Sequence, residues 1–378
     1  MCRVIYNPKY SLYNLGEAHP FSPKRTEMLV ELLKEWNLFS EPSEPNAVLA
    51  SDLAAIHDEQ YIEAVEKVSA GGSVENIDKF GLGNADNPIF ENMAEGARFQ
   101  VGGTLLGAKM LMENKANKVL QLGGGFHHAH YNFAAGFCIY NDLALAINEM
   151  VNFGWHVAYL DIDVHHGDGV QEMFYSSENV MTISIHESGE FLFPGKGWIH
   201  ELGKGSGRAL KLNVPLEPFT EGSSYLEFLE KVVKPALSWF KPNALVVQAG
   251  ADAHFSDPLA DNLLTTYDYE AIFRKIKNIA DTNCNGKVIF TLGGGYSSTA
   301  TPRIWALLYL IVNNLDIPEY LPENWRNKWQ QILGKPIPKT LHDLLPAFEP
   351  IPRNIEISKI NTDVMRRLMD SVSMNWLY

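Results

Sequence analysis

Cysteine is scarce in this chain of 378 residues: it occurs at Cys2, Cys138 and Cys284, and no two of these form a Cys-x-x-Cys pair. So few thiols, so far apart, argue against a disulfide-stapled fold and against a cysteine-based zinc ribbon. Residues 1–8 also do not show the charged and then apolar pattern of a secretory signal. A reducing compartment is therefore expected, and we predict a cytoplasmic protein.

Long apolar runs and long basic runs are missing as well. The longest apolar stretch, Ile304–Val312, is too short to cross a bilayer. The net charge of −14 disfavours tight binding to a phosphate backbone and suits cationic substrates such as lysine-rich peptides or polyamines. We therefore predict no membrane association and no direct nucleic-acid partner, and the sequence leaves the oligomeric state open.

Short segments rich in Val, Ile and Leu predict about eight strands that alternate with helices. The expected strands begin near Val4, Val48, Lys118, His156, Val180, Ala209, Ala244 and Val288. This alternation is typical of βαβ units and a mostly parallel sheet flanked by helices. We predict a single α/β domain over residues 1–378, with residues 315–378 forming a helical and Pro-rich extension packed on it.

Two glycine turns, at residues 122–125 and 292–295, have the same sequence, Leu-Gly-Gly-Gly, and each follows a predicted strand. Neither fits the dinucleotide-binding fingerprint or the phosphate-loop pattern, which ends in Gly-Lys-Ser/Thr. Their glycines indicate that the backbone passes close to another group at the strand end. Nucleotide binding of either kind is therefore not predicted.

The segment 156–169 joins an apolar strand to a cluster of acids and imidazoles. Strand alternation predicts that Asp161, Asp163 and His165 share one face, and Asp252 follows another predicted strand. Aspartate and histidine without thiolate suit a divalent metal with open positions for water and substrate. We interpret Asp163, His165 and Asp252 as metal ligands, although Asp252 alone would more often be a helix N-cap.

A second polar element, His127-His128, follows the first glycine turn. Adjacent buried imidazoles need partners, and Asp161 and Asp168 remain once the metal ligands are assigned. A His–Asp pair fixes the tautomer and supports the charge of a general acid or base. With Tyr296 as a hydrogen-bond donor to a developing oxyanion, these residues predict metal-assisted hydrolysis of an amide-like carbonyl.

These motifs resemble those of the zinc-dependent histone deacetylase superfamily, and most closely its prokaryotic acetoin-utilisation-type branch. The matching segments are His19-Pro20, Arg25, 124–129, 136–138, 161–170, 193–195, 250–252 and 294–296. The resemblance implies an arginase/deacetylase fold with an eight-stranded parallel sheet. The triple glycine of 293–295, where many members have four, and the loop 187–192 depart from the family pattern, which leaves the specificity of the rim open.

The resemblance also implies roles for individual residues. His128, paired with Asp168, would be the general base toward a metal-bound water, and His127, paired with Asp161, the acid or electrostatic partner. Tyr296 would polarise the acyl carbonyl. The implied substrate contacts are the tunnel walls Phe137 and Phe193, the carbonyl of Gly136 and the rim residue Asp86. Arg25 would lie on the acetate-release side, and K⁺ would be bound near Asp161 and Ser184.

Simpler interpretations remain for several residues. Phe137 and Phe193 could be core aromatics, and Asp86 could belong to an Asx turn before Asn87-Pro88. Among the remaining histidines near the motifs, His130, His186 and His254 are interpreted as structural or surface residues. His166 would alternate to the other face from the ligand beside it and is interpreted as packed.

The sequence thus predicts a Zn²⁺-dependent amidohydrolase, with Fe²⁺ as the other candidate metal, that removes acetyl groups from N-ε-acetyl-lysine in proteins. An acetylpolyamine or other small acyl-amide deacetylase is the alternative. Two further hypotheses are a two-metal ureohydrolase on the same fold and a non-catalytic acetyl-lysine reader.

Overall fold

The structure is a computed structural model that describes residues 2–39 and 41–376. Within these residues it contains one sheet of seven strands, all parallel, in the order β1-β2-β7-β6-β3-β4-β5. The strands are β1 (Arg3–Ile5), β2 (Lys118–Gln121), β3 (Val157–Asp161), β4 (Val180–Glu187), β5 (Lys211–Leu216), β6 (Ala244–Gln248) and β7 (Val288–Thr291).

Twelve α-helices of the described chain surround this sheet. They are α1 (Lys24–Glu35), α2 (Ala50–Leu53), α3 (Glu59–Ser69), α4 (Met93–Met112), α5 (Asp142–Asn152), α6 (Asp168–Met173), α7 (Gly222–Phe228), α8 (Lys234–Phe240), α9 (Thr266–Asn283), α10 (Thr301–Val312), α11 (Glu323–Leu333) and α12 (Asn354–Trp376). Among the described residues, none of these helices is both long enough and apolar enough to cross a membrane.

The sheet is covered on both faces, which explains its uniformly apolar central strands. In β3, Ala158 and Leu160 join the core that packs against α1, α9 and α10, whereas Val157 and Tyr159 join the core beneath α3, α4 and α5. Every residue of β3 is buried. The architecture is the expected single α/β domain with a parallel sheet flanked by helices.

The expectation of an eighth strand near Val48 is wrong. Leu49 is 66% exposed and is the N-cap of the short helix α2, where its amide donates to Asp52 Oδ2 over 2.9 Å. The Val48 amide donates to the Arg98 carbonyl of α4 over 3.2 Å rather than to a strand. A three-residue apolar run resembled a strand, but the local cap at Asp52 and the contact with a helix determine its conformation.

Two smaller boundaries also differ. The expected strand at Ala209 begins only at Lys211, because Ala209 has a left-handed φ of 65° that a strand cannot accommodate. The expected alternation of Asp161, Asp163 and His165 along one strand is wrong, because β3 ends at Asp161. Asp163 and His165 lie in the turn that follows.

The part of the chain after residue 315 packs against the rest through apolar and polar contacts. Met365, Leu368 and Val372 of α12 are buried in the same core as the face of the sheet that α9 covers. The amide of Glu217 donates to Asn361 Oδ1 over 3.0 Å, which joins the end of β5 to α12.

Candidate active site

The proposed ligands meet where β3 and β6 end at the carboxyl edge of the sheet. Asp163, His165 and Asp252 offer ligand atoms that all lie within 4.8 Å of one another, and all three side chains are buried. His165 Nδ1 lies 3.1 Å from both Asp163 Oδ1 and Asp252 Oδ2. Two carboxylates therefore converge on one imidazole, as in a site for a divalent cation.

Backbone and amide donors hold the two carboxylates in place. Asp163 Oδ2 accepts from Gln248 Nε2 over 2.6 Å and from the Gly294 amide over 2.8 Å. Asp252 Oδ1 accepts from the Val164 amide over 3.0 Å. A Cβ at Gly294 would overlap Asp252 Oδ2, so this turn must be glycine for the two strand ends to approach.

The electrostatics of this cluster fit a bound cation. Burial, followed by the charge of Asp163, raises the pKa of Asp252 to about 8. Burial opposes the charge on His165, but hydrogen bonds to Asp163 and Asp252 raise its pKa to about 10. Two carboxylates and one imidazole that are buried side by side are the donor set of a site for a divalent cation. The residues present fit a divalent metal ion.

His127 and Asp161 form one pair. His127 Nδ1 lies 2.7 Å from Asp161 Oδ2, which also accepts from the Tyr159 hydroxyl over 2.6 Å. Burial opposes the charge of His127, but the carboxylates of Asp161 and Asp163 raise its pKa to about 9. The expected pairing of these two residues is present in the structure, and His127 is the charged member of the two adjacent histidines.

His128 and Asp168 form the second pair, with different electrostatics. His128 Nδ1 lies 2.9 Å from Asp168 Oδ1, and burial together with the charge of His127 lowers the pKa of His128 to about 4. The rings of His127 and His128 lie 3.9 Å apart, centroid to centroid. The two neighbouring imidazoles are therefore pushed into opposite protonation states, one charged and one neutral.

His130, which we interpreted as structural or surface, extends this second pair. Its Nε2 lies 3.2 Å from Asp168 Oδ2, and its Nδ1 lies 3.0 Å from Glu172 Oε2. His130 is buried, whereas the side chain of Glu172 is 54% exposed. Burial opposes its charge, but the two carboxylates raise the pKa of His130 to about 9. Asp168 thus divides its two oxygens between two imidazoles.

Asp142 is a second residue that the sequence interpretation missed. Its buried carboxylate accepts from the amides of Gly125 over 3.0 Å and Phe126 over 2.8 Å, and from Thr104 Oγ1. These bonds fix the turn that carries His127. The available signal was the position of Asp142 at the start of a helix, where an acid is common for reasons of capping alone.

A tight bend at Gly136 and Phe137 closes the site on the side of His128. Both residues have a left-handed φ, of 50° and 69°. A Cβ at Gly136 would overlap the His128 ring, so only glycine can lie there. Phe193, which is 44% exposed, places its ring 4.9 Å from the His128 ring, centroid to centroid. Both phenylalanines therefore border the site rather than filling the core alone.

Tyr296 lies opposite, with its ring centroid 5.7 Å from that of Phe137 and 6.5 Å from that of His165. Burial, followed by the charges of Asp252 and Asp163, raises its pKa well above the ordinary value. The hydroxyl therefore stays protonated and can donate. The amide of Tyr296 donates to Asp257 Oδ2 over 2.6 Å.

Three further predicted residues lie around this centre. Asp86 is exposed, and its amide donates to Asn84 Oδ1 over 3.0 Å. Asn84, and not Asp86, is therefore the side-chain acceptor of this turn. Arg25 is buried, and its Nη1 donates to the Gly293 and Gly295 carbonyls over 3.1 and 2.7 Å, behind the Tyr296 turn. Ser184 is the register partner of Asp161 across β3 and β4.

His166, His186 and His254 are buried rather than at the surface. His166 and His186 pack against each other with ring centroids 4.6 Å apart, and His186 Nδ1 lies 2.8 Å from Ser184 Oγ. His254 is 1% exposed, and its Nε2 lies 3.0 Å from Asp343 Oδ2 in the C-terminal part of the chain.

With this geometry in place, comparison with known proteins gives the family. Residues 19–312 match the histone deacetylase domain. The chain therefore belongs to the histone deacetylase family and is a deacetylase of that family. This confirms the resemblance deduced from its motifs.

The particular relatives are of the acetoin-utilisation type. The chain is 39% identical over 373 residues to the acetoin utilization protein AcuC of Bacillus subtilis (strain 168), which covers 97% of this chain and 96% of that protein. It is 38% identical over 363 residues to the AcuC protein of Staphylococcus aureus (strain MRSA252), which covers 94% of this chain and 93% of that one.

Solved structures give the same result for the fold. A histone deacetylase homologue in complex with SAHA superposes with a TM-score of 0.87 at 26% identity, covering 97% of this chain and 99% of that chain. A homologue from Aquifex aeolicus superposes with a TM-score of 0.84 at 26% identity over the same shares.

Proposed function

We propose that this protein removes acetyl groups from N-ε-acetyl-lysine in proteins or peptides by metal-assisted hydrolysis. The observation that supports this most directly is the pairing of two buried histidines, adjacent in sequence, with separate aspartates beside the cluster of Asp163, His165 and Asp252. An acid, a base and an electrophilic site within one cavity are the groups that amide hydrolysis requires.

Asp163, His165 and Asp252 would hold the metal, which we propose to be Zn²⁺, with Fe²⁺ as the other candidate. A divalent ion bound there supplies Lewis acidity, which polarises an acyl carbonyl and acidifies water. We further propose that K⁺ binds near Asp161 and Ser184.

The two histidines would move the protons. Because Nδ1 of His128 faces Asp168, its Nε2 is free to accept a proton from the attacking water, and its lowered pKa keeps it neutral beforehand. As the water oxygen bonds to the acyl carbon and the C–N bond breaks, His127, held protonated by Asp161, would supply a proton to the departing amine.

The remaining residues would orient the substrate. The Tyr296 hydroxyl would donate to the acyl oxygen as negative charge develops there. Phe137 and Phe193 would flank the acyl-lysine chain, the Gly136 carbonyl would accept from the scissile amide, and Asp86 would bind substrate backbone at the rim.

We also propose that residues 315–378 are an integral extension of a single domain spanning residues 1–378, and that the protein works in the cytoplasm. The buried apolar face of α12 supports the first proposal. The three cysteines, which are buried and not joined in disulfides, support the second.

The test is a panel of acyl-lysine peptides and acetylspermidine, assayed with and without a chelator, on wild-type protein and Tyr296→Phe. We expect peptide turnover that the chelator abolishes, and a loss of about 10²–10³ in kcat in the variant at unchanged metal content. Tyr320→Phe, a change at an exposed tyrosine, is the matched control and should leave kcat unaltered.

The alternative functions predict different results in the same assays. Turnover of acetylspermidine but not of peptide would replace the lysine substrate by a polyamine. Peptide binding without release of acetate would indicate a reader, and two metal ions per chain would favour a ureohydrolase.

A further inference from the structure

A single aspartate from the C-terminal extension lies in the interior of the molecule. Asp343, which precedes α12, is 8% exposed. Its Oδ1 accepts from Arg303 Nη2 over 2.9 Å, and its Oδ2 accepts from both the amide and the hydroxyl of Thr266 over 2.8 Å. The carboxylate therefore joins the N-terminal ends of α9 and α10, and it lies outside the 19–312 segment that defines the family match.

His254 extends the hydrogen bonding from Asp343 Oδ2 toward the candidate active site. His254 Nε2 lies 3.0 Å from Asp343 Oδ2, and its Nδ1 lies 2.9 Å from Ser256 Oγ. Because a carboxylate can only accept, Nε2 carries the hydrogen. Nδ1 accepts from the Ser256 amide over 3.2 Å, and the Ser256 hydroxyl therefore donates to Nδ1 as well. His254 follows Asp252 by two residues on the same loop.

Ser256 completes the connection to the turn that carries Tyr296. Its Oγ lies 2.8 Å from Ser297 Oγ, and because it donates to His254 it accepts here from Ser297. The next residue, Asp257, accepts from the amides of Tyr296 over 2.6 Å and Ser297 over 3.2 Å. Four side chains in series thus link the extension to the residue directly after Tyr296.

We propose that Asp343 is a positioning residue that fixes the Tyr296 turn through His254, Ser256 and Ser297. The proposal rests on the proposed function, in which the Tyr296 hydroxyl donates to the acyl oxygen. Asp343, His254 and Ser297 are buried, whereas Ser256 is exposed. A hydrogen-bonded network rigidifies the groups that it joins, and partners that orient the groups of a site typically contribute 10- to 100-fold to its activity. The extension would then hold one wall of the site and not only cover the core.

The experiment compares Asp343→Asn with Asp316→Asn, which changes an exposed aspartate in the same extension. We expect kcat for an acetyl-lysine peptide to fall by roughly 10- to 100-fold in Asp343→Asn with KM changed by less than about 3-fold, and no change in the control. Hydrogen exchange of the Tyr296 and Ser297 amides should accelerate in Asp343→Asn and stay unchanged in Asp316→Asn.

Two further variants keep the test decisive if Asp343→Asn does not fold. Ser256→Ala and Ser297→Ala interrupt the same series without leaving a buried charge unpaired, and we expect each to lower kcat and accelerate exchange of the Tyr296 amide. Normal kcat and normal amide exchange in both variants would overturn the proposal. If the wild-type protein hydrolyses no acyl amide at all, the proposed function fails, and the exchange measurement alone then decides whether Asp343 positions this turn.

Discussion

Replacing His130 with glutamine removes the imidazole that Asp168 shares with the surface carboxylate of Glu172. The two carboxylates raise the pKa of His130 from 6.5 to about 9, against the opposing effect of burial. At about 1.4 kcal/mol for each pKa unit, the upper limit of the stabilisation is roughly 3 kcal/mol. Glu172 is 54% exposed, so screening by water reduces the expected contribution to about 1–2 kcal/mol.

The direction of the pH dependence follows from the raised pKa. Below about pH 6.5 His130 is protonated in the folded and the unfolded chain, and the stabilisation is complete. As the pH rises through the folded pKa of about 9 the folded state loses the proton and the stabilisation with it. The difference in the free energy of unfolding between wild type and His130→Gln should therefore be about 1–2 kcal/mol near pH 6 and close to zero near pH 10.

The neighbours of His130 do not obscure this window. Burial lowers the pKa of His57, whose Nδ1 lies 2.9 Å from the His130 carbonyl, to about 4, so His57 stays neutral. Lys196 Nζ lies 3.9 Å from Asp168 Oδ2 and competes only weakly for that oxygen. Urea unfolding at a series of pH values measures the difference, with the exposed His200→Gln as control. A difference that is constant or grows toward alkaline pH would refute the reasoning.

Two further predictions concern a strand and a turn. Lys211 is fully buried in β5, donates to the Val180 carbonyl over 2.6 Å, and has its pKa lowered by burial from 10.5 to about 7. At a pH between these two values the unfolded chain keeps the Lys211 proton and the folded chain has lost it. The free energy of unfolding of the wild type should therefore rise with pH relative to that of Lys211→Met, by roughly 3–5 kcal/mol in total. A difference that stays the same in urea unfolding at each of these pH values would contradict this. Gly294→Ala places a Cβ against Asp252 Oδ2 and should weaken Zn²⁺ binding by at least about 10-fold in a chelator competition, whereas unchanged affinity would show that the two strand ends can separate.

Local sequence patterns were sufficient for most of the sheet. The strands near Lys118, Val180, Ala244 and Val288 each carry Val, Ile or Leu side chains and are almost wholly buried, so their local sequence identifies them. The run at Val48 has similar composition, but a cap and a helix contact determine its conformation, and neither is visible in a window of three residues.

The candidate site, like the sheet, could be predicted from the sequence only in part. Asp163 and His165 were singled out by an alternation along a strand that in fact ends at Asp161, so two residues that the structure brings together with Asp252 were found with an incorrect local geometry. His130 and His254 could not be found, because their partners, Glu172 and Asp343, lie 42 and 89 residues away in sequence, and only the folded paths of two loops bring them together.

The strand order has a consequence for the timing of folding. β7 lies between β2 and β6, and through those pairings it is the strand that joins the β1-β2 edge to the remaining four strands. A chain emerging from the ribosome therefore cannot close its sheet until residues 288–291 are available, by which time His127, Asp163 and Asp252 have all been synthesised. Until then the histidine pair and the cluster of Asp163, His165 and Asp252 belong to two groups of strands that are not yet paired with each other. Because pairings between distant segments form slowly, we expect the histidine pair to meet this cluster late in folding, when this one four-residue strand is inserted.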